Sequence, residues 1–180
     1  MGLSASKRVE QALRNSPDFD AACNSVYDEC LDLSQHAFSG VRPYQLDGAS
    51  ERLHLNLSTV HPLVKKWVPS PPARTQVHRA FKIVIERSTD HSSDGETLGP
   101  SEFKAFAVEL FRDAIVSNAG KAVVQTIPIG IAGIAGIGMA TRLGKDLVGA
   151  VMGVYALGVG AAVYLSLSEL IFDHSSNYNS

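Results

Sequence analysis

Apolar side chains recur along this chain at three- and four-residue intervals, the spacing of one buried face of a helix. Phe19, Ala22, Cys23, Val26, Tyr27, Cys30 and Leu33 form one such face, and Phe103, Phe106, Ala107, Leu110, Phe111, Ala114 and Ile115 form another. Ser6 to Arg14 reads as a short helix before the first. Ser16 is placed to cap the next, with Pro17 at its first position and Asp18 and Asp20 at its positive end. Ser39-Gly40 is its expected stop. Pro43 and Asp47-Gly48 mark a loop, and Ser50 to Val60 a further helix that His61-Pro62 breaks or kinks. Pro69-Ser70-Pro71-Pro72 cannot continue a helix and reads as a linker. Thr75 to Arg87 restarts one with Val77, Phe81 and Val84 inward, and a polar stretch from Ser88 to Ser101 separates it from the phenylalanine-rich helix. The expected class is all-α.

Beyond that helix the pattern changes. Ala122 to Ala140 and Leu147 to Ser168 carry no charge, and the short polar segment Thr141 to Asp146 joins them. About 20 apolar residues are what a helix needs to cross a bilayer core of roughly 30 Å, so the sequence predicts a two-helix transmembrane hairpin. Its glycines would weaken a helix in water, by about 1 kcal/mol each relative to Ala. In lipid they let helix backbones approach. Ala132, Gly136 and Ala140 make one small-residue stripe, and Gly149, Gly153, Ala156 and Gly160 a second. Gly136, Gly149, Gly153 and Gly160 are therefore the helix-packing candidates, within the hairpin or between copies of the chain. A buried soluble hairpin or an interfacial element is the alternative. The glycines do not make a phosphate loop: five residues separate Gly138 from Gly144, and Asp146 stands where Ser or Thr is needed.

The start, Met1-Gly2-Leu3-Ser4-Ala5-Ser6-Lys7-Arg8, fits the pattern for N-myristoylation at Gly2. Without acylation, Ser4 or Ser6 would simply cap the first helix. One myristoyl chain holds a protein to membranes only marginally, so a second element is required, and the hairpin supplies it. The expected organisation is an acylated segment over 1–15, a cytosolic helical domain over 16–118, the glycine-rich hairpin over 119–172 and a polar tail over 173–180.

Within that domain, residues 75–116 resemble an EF-hand. Counting forward, Asp90, Ser92, Asp94 and Gly95 fall at loop positions 1, 3, 5 and 6; counting back from Glu102 at position 12, Leu98 falls at position 8. Glu96 would offer its backbone carbonyl. The candidate calcium ligands are Asp90, Ser92, Asp94, Glu96 and Glu102, with Asp90, Asp94 and Glu102 the carboxylates. The two counts disagree by one residue and Pro100 stiffens the approach to Glu102, which favours a weak or vestigial site. The sequence offers no second loop to pair with it. The Met-Gly-x-Ser-Ala-Ser-Lys-Arg start, the Trp67-Val68-Pro69-Ser70-Pro71-Pro72 linker, the EF-hand-like pair and the glycine-rich tail together resemble a group of small plant membrane proteins. That resemblance implies membrane association and EF-hand character, and names no activity.

Charge and chemistry narrow the classes further. The formal net charge of −2 gives no reason to expect a nucleic-acid partner. Residues 17–38 hold five acids and no Lys or Arg, whereas eight basic residues lie between Arg42 and Arg87. These segments complement each other in one fold, or the basic one faces anionic headgroups on the cytosolic leaflet. Cys23 and Cys30, two helical turns apart, are too distant for a disulfide within a helix and are expected as reduced, buried thiols. The six histidines are scattered, and no Ser or Cys has the context of a nucleophile. No catalytic residue and no cofactor beyond weakly bound calcium is expected. The reading is a membrane-tethered adaptor or accessory subunit with a protein partner. A calcium-responsive regulator and a membrane-shaping or channel-like hairpin are the alternatives.

Overall fold

The computed structural model describes residues 4–88 and 97–140, together with Ala161, Tyr164 and Leu165; over 123–140 it describes helical backbone. The described chain is all-α, with one isolated two-residue bridge and no strand. Six helices follow in order: α1 (Ala5–Arg14), α2 (Pro17–Leu33), α3 (Leu46–Val60), α4 (Pro62–Trp67), α5 (Arg74–Arg87) and α6 (Pro100–Ala140).

The N-terminal caps explain most helix starts. Ser4 Oγ accepts the Lys7 N–H at 3.5 Å, and Ser16 Oγ accepts the Phe19 N–H at 3.2 Å, so each serine satisfies a donor the helix cannot. Pro17, Pro43, Pro62 and Pro100 all stand at first helical positions, where a missing N–H costs nothing. At His61-Pro62 the break separates α3 from the short α4.

Two expected boundaries move. α2 stops at Leu33, seven residues before Gly40, because Gln35 and His36 both take left-handed backbone, with φ of 53° and 54°. The His36 N–H returns to the Leu31 carbonyl at 2.9 Å, and the Ser34 hydroxyl donates to Leu31 O at 2.9 Å. The helix end is thus closed without glycine. α3 begins at Leu46, after a 3₁₀ turn over Pro43–Gln45, so Asp47 and Gly48 lie in its first turn instead of in a loop. Asp47 suits that place, since a carboxylate is favourable at the positive end of a helix.

α6 is the centre of the packing: α1, α2, α4 and α5 all lie against it. Its predicted stripe, Phe103, Phe106, Ala107, Leu110, Phe111, Ala114 and Ile115, is buried throughout. Phe19 of α2 meets Phe111 edge-on at 6.2 Å, and Tyr27 meets Phe103 at 5.7 Å. Burying each such ring contributes on the order of 2–3 kcal/mol. Val9 and Leu13, four residues apart on α1, are fully buried and seat that helix on the core. Glu109, 5% exposed, is held by Arg87 at 3.1 Å and by Arg112, which ties α5 to α6 through a paired charge. Val77 and Val84 of α5 are buried as expected, while Phe81 is partly exposed at the edge of the core.

Candidate functional site

The helices pair into two helix–loop–helix halves. α2 and α3 form one around residues 34–45; α5 and α6 form the other around residues 88–99. Among the described residues, one backbone bridge joins the loops. Val41 N–H donates to Leu98 O at 2.9 Å, and Leu98 N–H donates to Val41 O at 2.8 Å, an antiparallel bridge of two reciprocal hydrogen bonds. Both bridge side chains are fully buried. Gly40 makes the approach possible: a Cβ there would stand 2.5 Å from the Leu98 carbonyl oxygen.

Downstream of the bridge the halves repeat one another. In the first, the Arg42 N–H donates to Gln45 Oε1 at 2.9 Å across Pro43; in the second, the Gly99 N–H donates to Glu102 Oε2 at 2.9 Å across Pro100. Each side chain reaches back to an otherwise unsatisfied donor at the helix start. Gln45 does more, because its amide also donates to the Cys30 carbonyl at 2.7 Å and so ties the exit turn back to α2. Glu102 has no donor for such a second bond.

The sequence offers no second calcium-type loop, and among the described residues it is the segment between α2 and α3 that meets Leu98 through the bridge. The segment lacks carboxylates where the second loop has them. Counting back from Gln45 as position 12 puts Ser34, His36 and Phe38 at positions 1, 3 and 5. A ligand-based search passes over it. What could have found it is the shared pattern Val41-Arg42-Pro43-Tyr44-Gln45-Leu46 and Leu98-Gly99-Pro100-Ser101-Glu102-Phe103, an apolar residue, a proline two on and Gln or Glu four on.

Of the candidate calcium ligands, Glu102 is described and engaged as a cap, whereas Asp90, Ser92, Asp94 and Glu96 lie outside the described residues. Among the described residues, no group of three or more His, Cys, Asp or Glu is placed to hold a metal ion. Gly2 also lies outside, as do Gly149, Gly153 and Gly160; Gly136 falls within the helical backbone of α6. Among the described residues, no helix is long and apolar enough to cross a membrane, so the transmembrane part of the expected fold is without support there.

A cleft of ≈510 Å³ opens between the 3₁₀ turn, α3 and α5, with Pro43, Leu46, Val77 and Phe81 as its apolar lining and Asp47 and Arg74 at its edge. Arg74 Nε stands 3.4 Å from the Asp47 carboxylate. On α2, Cys23 and Cys30 are free, buried thiols. Burial, reinforced by Asp20 and opposed by Lys104, pushes Cys23 up to about 12; burial also raises Cys30. Both stay protonated near neutrality and are poor nucleophiles.

Comparison with known proteins adds no name: no family model, curated protein or solved structure is significantly similar to this chain.

Proposed function

We propose that this chain is a membrane-tethered adaptor whose head is a paired lobe of EF-hand type, assembled without an ion. Acylation at Gly2 and the glycine-rich hairpin would hold it to the cytosolic face, and the helical head would engage a protein partner. The observation that carries the reading is the closed bridge between Val41 and Leu98, flanked on both sides by caps from the chain's own Gln45 and Glu102. A sensor lobe needs its position-12 carboxylate to change partners when calcium binds. Here the first half carries an amide there, and no carboxylate at positions 1, 3 or 5. The apolar cleft beside α5 supplies a place for a partner side chain, because pockets of a few hundred Å³ with polar rims are what ligands fill. Nothing in this function calls for catalysis.

Two measurements test it. Gly2→Ala should remove the acyl chain yet leave the protein in the membrane pellet, since two inserted helices hold far more strongly than one acyl chain. A soluble mutant would rule out the inserted hairpin. The amide spectrum of the full chain should keep its dispersion in the presence of chelator, as an ion-independent head requires.

A second reading, a calcium-responsive regulator, is favoured by the spacing of Asp90, Asp94 and Glu102. Three carboxylates in a loop one residue too long should bind no tighter than about 10⁻⁵ M. Calorimetry on the full chain decides between the readings. Tight binding that is lost in both Asp90→Ala and Glu102→Gln would place the regulator first.

A further inference from the structure

The two ends of the helical head differ in charge. Asp20 pairs with Lys104 at 2.6 Å and Glu10 with Arg112 at 3.5 Å, so moving back along α2 and α1 means moving forward along α6. The N-terminal turn of α1 therefore lies on the side of the lobe where α6 leaves for the glycine-rich run. α4 is brought to the same side, because the Asn118 amide donates to the Trp67 carbonyl at 2.8 Å. Lys7 and Arg8 of α1, Lys65 and Lys66 of α4 and Lys121 of α6 are thereby gathered around the root of that run. Lys7, Lys65, Lys66 and Lys121 are exposed.

Two aromatic rings belong to the same end. Arg8 stacks its guanidinium over Tyr164 at 5.2 Å, and Lys66 places its ammonium over Trp67 at 5.4 Å. Among the described carboxylates, Glu10 pairs with Arg14 and Arg112, and Asp113 with Arg79 at 3.6 Å. The acids toward the loop end of α2 lie elsewhere: Asp28 is exposed, Glu29 faces Arg52 at 3.8 Å and Asp32 faces His36 at 3.0 Å.

We propose that this end is a headgroup-binding collar, in which Lys7, Arg8, Lys65, Lys66 and Lys121 take anionic phospholipid around the root of α6. The inference rests on the tethered reading above and adds the lipid class to it. The supporting physics is charge complementarity at a fixed place. Basic side chains immediately beside an apolar run meet the negative cytosolic leaflet within a Debye length, and Trp and Tyr favour that interfacial depth.

Trp67 is the chain's only tryptophan and reports on this end directly. The full chain is reconstituted into phosphatidylcholine vesicles with increasing phosphatidylserine, and quenching of Trp67 by a headgroup-linked nitroxide is followed. Quenching should rise with phosphatidylserine and collapse in high salt. In a Lys65→Gln, Lys66→Gln, Lys121→Gln variant, the phosphatidylserine fraction giving half the effect should increase by roughly fivefold or more. The three positions are exposed, so the fold should survive, and the salt titration of the unmutated chain stands independently of that variant.

Vesicle flotation separates the two ideas. A chain that floats with neutral vesicles but whose Trp67 ignores phosphatidylserine overturns the collar and leaves the tether intact. A chain that floats only with phosphatidylserine supports the collar and removes the hairpin. The same emission change produced by inorganic phosphate without vesicles would give the collar to soluble anions and overturn the lipid assignment.

Discussion

The two helix–loop–helix halves share a bridge, a proline and a cap, and differ in the functional group that makes the cap. At the cap, the first half has the amide of Gln45 and the second the carboxylate of Glu102. An amide both accepts and donates, so Gln45 closes the exit turn and also locks it to Cys30 O of α2. A carboxylate only accepts, and Glu102 is left with an oxygen that makes no such tie to the entering helix. The first half is therefore a fixed brace. The second closes its exit turn through the Glu102 cap alone, and that cap is a carboxylate that could turn toward a cation.

The largest effect should come from breaking what the halves share. Leu98→Ala removes a fully buried bridge side chain and should cost about 2–5 kcal/mol, read from urea unfolding. A loss well below that range would mean that the halves do not depend on their junction. Next comes Gly40→Ala. The new methyl would meet backbone at 2.5 Å, so the bridge must open, for a loss of about 1–3 kcal/mol in thermal melts. Gly99→Ala should cost less, because the nearest atom to its added methyl is the Glu102 carboxylate at 3.7 Å. Equal losses at both glycines would erase the distinction.

The pH dependence tests the brace itself. The Cys23 thiol, raised in the folded chain from 9.0 to about 12 by burial, stays neutral there while the unfolded chain ionises. Its contribution is complete below pH 9 and is lost as pH rises toward 12, at up to about 1.4 kcal/mol per pH unit. Cys30 and Tyr27, both raised chiefly by burial, act in the same direction. Urea midpoints should fall steadily above pH 9, and Cys23→Ala, less stable throughout, should show a shallower fall. The smallest effect is expected at Glu102→Gln. The amide still accepts the Gly99 N–H, so stability should change by less than about 1 kcal/mol in chemical denaturation. A larger loss would show the carboxylate's charge to be structural.

The helix bodies were legible because burial imposes a period on the sequence: the phenylalanine stripe of α6 carries it throughout, and the cysteine-bearing face of α2 carries it to Cys30, beyond which the expected Leu33 is 64% exposed. Their ends were less so. Nothing in Ser34-Gln35-His36 announces a stop, since two residues other than glycine adopt left-handed backbone there. Asp47-Gly48 has the composition of a turn, yet an aspartate in a first helical turn is equally well placed. The bridge was hidden for a different reason. One pair of residues distant in sequence leaves no periodicity, and its sign is a repeated spacing of proline and Gln or Glu with none of the ligands that usually advertise such a loop. Glu102 was found through ligand counting, while its described role is to hold a backbone N–H.

α6 runs unbroken for 41 residues, from beneath the bridge to Ala140. At 1.5 Å per residue it is a shaft of about 60 Å. Its first turns pack against α1, α2, α4 and α5, and its far end belongs to the glycine-rich run. Such a shaft conveys torsion: each residue sets the next by about 100°. One residue inserted between Ala119 and Ala122 would therefore swing the whole head by more than a quarter turn about the axis of that run, with every head contact intact. The angular bearing of the lobe is encoded in helical phase.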